Sequence, residues 1–385
     1  MSIKQIYRSI NKKIGGGKVL FKAETKKQII FLNKLPLPRN DIQRSFYQYK
    51  CQKHQRKGTF ILFNIGSFFM ILPMLLYFLF KKTKYIKSSR EKIAVFLYPE
   101  IGRKIIPHSL GNKYEEIIDV SFNSAFKLNK EDLYIIFDIL KTYPYSFYFI
   151  AKIIIKIAFY RYLIDTYNPQ AIIATSEYSF TSSVLTFFCE RNNVKHINIM
   201  HGEKLLNIRQ SFFRFHTCYV WDSHYINLFL KLRAEKKQFR IEIPPSLIIN
   251  CDDFSGLKET DFKYYLAIAT KQEIIKISNL IIDIEGLGFT IKIRPHPRYS
   301  DEKIIKKFIP IKNIENSTEH SINSSICTSR NIIGAYSSVL LQAYLCGKTV
   351  FLDDIIFKGD VDKLEELQYI LTSKNVGRLS SLFCN

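Results

Sequence analysis

From residue 93 onward, short apolar runs alternate with longer stretches of helical spacing. Ile93-Ala94-Val95-Phe96-Leu97-Tyr98, Ile117-Ile118-Asp119-Val120, Ala171-Ile172-Ile173-Ala174, His196-Ile197-Asn198-Ile199-Met200 and Cys218-Tyr219-Val220-Trp221 read as strands. They are too short for helices and too continuously apolar for a strand with one wet face. Between them, about 129–141 and 145–166 (broken at Pro144), 180–192 and 223–234 read as helices. An irregular stretch, 240–260, holds Pro244-Pro245 and the turn-rich Asp252-Asp253-Phe254-Ser255-Gly256. A second series follows: strands Tyr264–Ala269, Thr290–Ile293, Asn331–Tyr336 and Lys348–Leu352, with helices over about 271–285 and from Ser337. Such a succession predicts two α/β domains, over 91–250 and 251–385, each a parallel sheet with helices on both faces. A chain of 385 residues suits two domains of that size.

The first 90 residues have a different pattern. Thr59 to Phe80 carries no charge, while Lys50, Lys53, Arg56 and Lys57 precede it and Lys81, Lys82, Lys84 and Lys87 follow. The length suits a membrane span. Basic residues on both flanks oppose the positive-inside bias, and Asn64, Gly66, Ser67 and Pro73 interrupt the run. A hairpin or interfacial helix on the cytoplasmic leaflet fits better, held also by anionic lipid; a buried helix of the first domain is the alternative. Residues 1–92 hold 21 of the 57 Lys and Arg but only three of the 34 Asp and Glu, so most of the net charge of +23 sits there. That segregation, with no nucleic-acid motif, argues against a nucleic-acid partner. Gly15-Gly16-Gly17-Lys18 lacks the rest of a phosphate loop and reads as a flexible break. Seven widely spaced cysteines without a CxxC suggest a reducing compartment and no disulfide framework.

Candidate chemistry gathers at strand ends. Lys292-Ile293-Arg294-Pro295-His296-Pro297-Arg298 is a β-like run ending in a doubly prolinated turn. Each proline fixes its own φ and extends the residue before it, so the backbone of His296 is nearly predetermined. Arg294, His296 and Arg298 suit a phosphate there, with Pro297 shaping the turn. His201-Gly202 ends a first-domain strand, where a histidine can take a proton from an acceptor hydroxyl. Tyr336-Ser337-Ser338 lies at a strand-to-helix junction, a natural anion site and equally a helix cap. Glu177 and Glu203 are further candidates for the base. Together these residues describe displacement of a nucleotide phosphate by a hydroxyl. His201, Glu177 or Glu203 would take the proton, and His296, Arg294, Ser337 and Ser338 would stabilise the leaving phosphate. The scheme needs no metal and no cofactor. Asp252-Asp253 reads as a turn, and Asp353-Asp354 as a strand end near the nucleotide.

The order His201-Gly202, then Arg294-Pro295-His296-Pro297, then Tyr336-Ser337-Ser338 before a helix resembles bacterial surface-polysaccharide transferases of GT-B architecture. The likeness covers roughly residues 93–355. His296-Pro297 and Ser337-Ser338 are similar to the His-Pro and serine motifs of bacterial sialyltransferases and polysialyltransferases, which contact the CMP part of the donor. His201-Gly202 is similar to a motif of the CDP-glycerol glycerophosphotransferases of teichoic-acid synthesis. The acidic-acidic-Gly motif of the sialyltransferases is missing from the first domain, and His201 stands in its place. The resemblance implies two Rossmann-like domains facing across a cleft, the first for the acceptor and the second for the nucleotide sugar. It implies an inverting, metal-independent glycosyltransferase at the cytoplasmic face of the bacterial inner membrane. Such an enzyme would move a sugar, CMP-linked as first expectation, to a capsule or lipopolysaccharide glycan, free or lipid-linked. The rivals are a CDP-polyol phosphotransferase and a non-catalytic membrane-associated module of a glycan-assembly complex.

Overall fold

The structure, a computed structural model, describes residues 24–81, 92–122, 125–254, 256–297 and 299–383. The chain divides into two compact units. The first comprises Glu24–His201 and Leu206–Pro245; the second comprises Gly202–Leu205 and the chain from Ser246 onward.

The first unit is built on a six-stranded parallel sheet in the order β2-β1-β3-β4-β5-β6. The strands are β1 (Ile93–Leu97), β2 (Glu116–Val120), β3 (Ala171–Ala174), β4 (Lys195–Ile199), β5 (Thr217–Val220) and β6 (Phe239–Ile241). Every residue of β1 and β3 is buried, as a parallel sheet covered on both faces requires. Helices α1 (Thr25–Asn33), α2 (Asp41–Gln55), α3 (Lys57–Phe80), α4 (Lys130–Thr142), α5 (Phe147–Tyr167), α6 (Ser182–Arg191) and α7 (Ser223–Lys231) accompany it. Helix α5 is apolar nearly all round because Val95, Leu97 and Ile172 of the sheet and the flank of α3 pack into one cluster with it. Its buried Arg161 forms a forked pair with Asp132, the capping-box residue of α4 (2.7 and 3.0 Å). Removing either partner would strand a buried charge.

Residues before 90 were expected to stand apart as a segment. Residues 24–80 instead fold into the first unit, for a reason apolar patterning reveals poorly: the face that α2 buries mixes polar Ser45, Gln48 and Gln52 with Tyr47, Tyr49 and Cys51. Ser45 Oγ accepts from Val184 N (3.0 Å), Gln48 Nε2 donates to Glu177 O (2.8 Å), and Gln52 Nε2 donates to Tyr178 O (2.7 Å). Helix α3 lies along α5. Phe60 meets the rings of Tyr49, Tyr148 and Phe180. Asn64 bonds the backbone of Tyr145 and Tyr148, and Phe78 O accepts from Leu128 N. Of its 24 residues only Phe60 and Phe78 are buried. Leu62, Ile65, Phe69, Leu72, Leu76 and Phe80 form an exposed apolar stripe at helical spacing.

The second unit repeats the plan with a five-stranded parallel sheet, β11-β10-β9-β7-β8. These strands are β7 (Thr260–Leu266), β8 (Ile291–Pro295), β9 (Ser329–Gly334), β10 (Thr349–Leu352) and β11 (Gly377–Arg378). Helices α8 (Lys271–Gly286), α9 (Glu302–Phe308), α10 (Ile322–Cys327), α11 (Ser338–Leu345) and α12 (Lys358–Glu366) connect them. The capping box of Thr270 and Glu273 starts α8.

Wide cysteine spacing suggested no disulfide. The fold corrects this by bringing the Cys251 turn against the end of α10, where Cys251 and Cys327 are bonded with their Cα atoms 5.1 Å apart. The bond closes a loop of 76 residues. In guanidinium, the oxidised chain is expected to exceed Cys251→Ser in stability by roughly 4 kcal/mol, the loop-closure contribution. The difference should vanish in dithiothreitol. Equal stability of the two proteins under oxidising conditions would show that the bond contributes nothing.

Candidate functional site

Both sheets run second strand, first strand, third strand, then onward. In such sheets the connections depart in opposite directions between the first and third strands, leaving a crevice at their carboxyl ends. The crevice lies at β1/β3 in the first unit and at β7/β9 in the second.

In the second unit the geometry follows from strand ends. Gly334 closes β9 where a side chain has no room: an added Cβ would sit 3.2 Å from both Leu340 Cδ2 and Tyr265 O. Ser337 then caps α11, its Oγ accepting from Val339 N (3.3 Å). Tyr336 sets its ring edgewise against Tyr369 (5.3 Å), and the Tyr369 hydroxyl donates to Ser337 O (3.4 Å). Ser338 is exposed on the first turn.

At the end of β8, two strands from β9, His296 N is pinned to Leu266 O (2.8 Å) and Ser300 Oγ (2.8 Å). Ser300 Oγ also reaches Leu266 O and Ala267 O, so the turn after β8 is stitched to the end of β7. The His296 ring lies against Tyr299 at 4.5 Å and remains half-exposed. Pro297 is exposed, and Arg298 lies outside the described residues.

Arg294 is placed differently from the sequence expectation. It belongs to β8, is buried, and turns inward to Glu315, with a further bond to His320 O (2.7 Å). A buried guanidinium requires a carboxylate, and Glu315 supplies one while also binding Lys263 Nζ of β7 (2.6 Å) and Ser325 Oγ. Burial alone would raise the Glu315 pKa, but Lys263, Ser325 and Arg294 outweigh it and hold the group below its ordinary value. Arg294 thus shapes the motif from beneath.

Asp353 and Asp354 are engaged within the unit. Asp353 accepts from Tyr264 Oη and from Ile355 N and Ile356 N, and burial raises its pKa. Asp354 accepts from Ser380 N (2.9 Å) and Oγ (2.6 Å). Among the described residues, no three His, Cys, Asp or Glu side chains cluster as a metal site.

Glu203 falls in the second unit, not in the first domain where the sequence placed it. Its two carboxylate oxygens are sealed from solvent and, among the described residues, make no well-formed hydrogen bond, the Tyr369 hydroxyl lying beside them. Burial pushes its pKa up to about 8, with the Tyr369 hydroxyl pulling the other way. Tyr369 therefore links Glu203 to Tyr336 and Ser337. Sequence reading missed Tyr369 and Ser300, because neither lies in a motif.

At the first unit's crevice, Tyr98 ends β1 with φ +74°, a left-handed conformation that is strained for an aromatic residue. Glu177 follows β3 and is buried, with Asn198 Nδ2 donating to Oε2 (3.2 Å). Asn198 Oδ1 holds Ser176 N (2.7 Å), which fixes the loop. His201 is exposed one strand further on, before Gly202 at φ +68°. His196 is a core residue: Tyr160 and Thr186 satisfy both ring nitrogens, and burial lowers its pKa to about 3.

No family model matches the chain, and no curated protein sequence does. Among solved structures it is similar to MnaA of S. aureus with UDP (11% identity over 68% of this chain and 79% of that one, TM-score 0.42). It is similar to the UDP-GlcNAc 2-epimerase of Neisseria meningitidis bound to UDP-GlcNAc (10%, 68% and 81%, 0.42). A third is the wall teichoic acid polymerase TagF soaked with CDPG (13%, 83% and 86%, 0.42).

The Glu203 shift has a defined sign. Between about 4.5 and 8 the folded chain keeps a proton that the unfolded chain has released, so this group's contribution to stability falls as pH rises through that window. Glu203→Gln removes the loss. The variant should exceed wild type by up to about 4 kcal/mol at pH 8 and match it near pH 4.5. Parallel denaturation curves at the two pH values test this; a variant less stable at pH 8 would show the carboxylate to be paired.

Proposed function

We propose that the chain is a GT-B glycosyltransferase that moves a sugar from a nucleotide donor, CMP-linked as first candidate, to a bacterial surface glycan. One observation carries the reading. At the second unit's crevice the Ser337 cap of α11, Tyr336 and a protonated Glu203 are tied together through Tyr369, with the His296 turn stitched to the neighbouring strand end. A helix N-terminus with hydroxyl and imidazole donors around it suits a phosphate. Arg294 supports the turn from beneath and does not serve as the phosphate ligand.

In the reaction, the acceptor hydroxyl attacks the anomeric carbon, the bond from that carbon to the phosphate oxygen breaks, and the configuration inverts. The acceptor proton passes to a first-unit base, Glu177 or His201. The electron pair leaves with the nucleotide phosphate, whose charge His296, Ser337 and Ser338 stabilise. Glu203, neutral near pH 7, suits a donor to the leaving phosphate better than a base. The exposed His201-Gly202 turn favours the second reading, polyol-phosphate transfer from a CDP donor. That product contains a new phosphodiester, visible by phosphorus NMR.

Thermal shift of the full chain with CMP, CDP, UDP and GDP tests the donor side. CMP should raise the midpoint by mass action, and His296→Ala should weaken that binding about tenfold or more. Glu177→Ala or His201→Ala should cut turnover 100-fold or more while leaving nucleotide affinity intact. A folded chain that no nucleotide stabilises would defeat the proposal.

The reading includes attachment to the cytoplasmic face of the inner membrane. Helix α3 is held to the first unit at Phe60, Asn64 and Phe78, near both ends and between. A helix fixed along its length to one folded body lies in the plane of the interface with its apolar stripe immersed. Each immersed Leu or Phe contributes about 1.5–3 kcal/mol. Flotation with phosphatidylglycerol vesicles should recover the wild type and lose Leu62→Asp/Leu72→Asp. Wild-type protein left at the bottom of the gradient would remove the membrane from the account.

A further inference from the structure

The first unit contains a row of cations that the catalytic scheme does not use. Lys152 and Lys156 stand one turn apart on α5, about 6 Å along the axis. Both are half-buried, and among the described residues neither has a carboxylate partner. Lys152 Nζ lies 4.3 Å from the centre of the Phe180 ring, and Lys156 Nζ lies 3.9 Å from that of Phe122. Phe122 follows β2 and Phe180 follows β3, so the two ammonium groups sit at the carboxyl ends of strands flanking the β1/β3 crevice. Lys152 feels the charge of Arg209, and Arg209 that of Arg56, the residue immediately before α3. Gln52 Nε2, bonded to both Tyr178 O and Arg209 O, holds the Arg209 loop against α2.

The row therefore runs from the start of α3 to the crevice where Tyr98 and Glu177 lie. Aromatic faces offset part of the cost of burying ammonium groups. They do not offset like-charge repulsion, and burial followed by the neighbouring cations lowers Lys152 and Lys156 to about 8. An anion placed between them would relieve both costs. At its α3 end the row meets the exposed side of that helix through Phe63, which touches Tyr148, whose ring also faces Lys152. Apolar stripe, cations and crevice thus follow one another in the order of a lipid chain, its phosphates and a sugar.

We propose that Lys152 and Lys156, with Arg209 and Arg56, bind the phosphate or diphosphate of a lipid-linked acceptor whose hydrocarbon chain lies along α3. This rests on the reading of the first unit as the acceptor half of a transferase. The phosphate head would place the acceptor sugar at Glu177, with its tail already in the membrane.

Calorimetric titration of the full chain in detergent tests it with three probes: farnesyl diphosphate, inorganic diphosphate and farnesol. Farnesyl diphosphate should bind at least tenfold more tightly than either of the others. Lys152→Gln/Lys156→Gln should weaken it tenfold or more while the shift with CMP persists, which also shows that the variant is folded. Equal affinity for inorganic and farnesyl diphosphate would overturn the lipid assignment in favour of a soluble phosphorylated ligand. Undiminished binding of farnesyl diphosphate by the double variant would overturn the site. CMP binding without farnesyl diphosphate binding defeats this inference alone; loss of both defeats the transferase reading beneath it.

Discussion

A parallel strand cannot turn back on itself; it must be followed by a crossover, and crossovers in such sheets keep one hand. When the third strand joins the far side of the first, successive crossovers must cover opposite faces. Each sheet here is built that way, so each is split by one position where the connections diverge. The consequence is chemical. The residues that follow β1 and β3, or β7 and β9, are the ones placed at that position. Tyr98 and Glu177 in one unit, and Ser337 in the other, owe their place as candidates first to strand order and only then to their own chemistry.

Ionisable groups in the interior separate into three kinds, and the partners decide which is which. His196 is neutral and satisfied on both nitrogens, so it serves the core. Glu315 is charged because Lys263 and Arg294 meet it from two adjacent strands. It fixes β8 to β7 beneath the His296 turn, and its loss would leave two buried cations unpaired. Glu203 has no such partner among the described residues and holds its proton instead. The same residue type is an anchor in one place and a proton reservoir in another.

Most of the strand and helix pattern was legible because a parallel sheet demands runs such as Ile93–Leu97 and Ala171–Ala174. The proline break before α5 marked a helix start. Helix α2 was not legible, since Ser45, Gln48 and Gln52 share its buried face with Tyr47, Tyr49 and Cys51 and dilute the apolar stripe. The inward turn of Arg294 was hidden for a related reason: its partner lies 21 residues away on another element. Tyr369 is further still from the serines it braces, and the Cys251–Cys327 pair spans 76 residues. Pattern discloses which residues a segment buries, whereas partners are set by topology, and topology is where single-sequence reading is weakest.

The position of α3 also orders events in time. The flank of this helix is covered by α5, whose first residue follows the end of α3 by more than sixty positions. At roughly 5–20 residues per second, synthesis leaves α3 without that covering for on the order of several seconds. During that interval a newly made helix with Leu62, Phe69 and Leu72 on one side and Phe60 and Phe78 on the other can meet Tyr49 of the preceding α2 but not α5. On the proposed membrane attachment, a bilayer would be the apolar phase within reach, and the order of residues would make lipid capture the earlier step and closure of the first unit the later one.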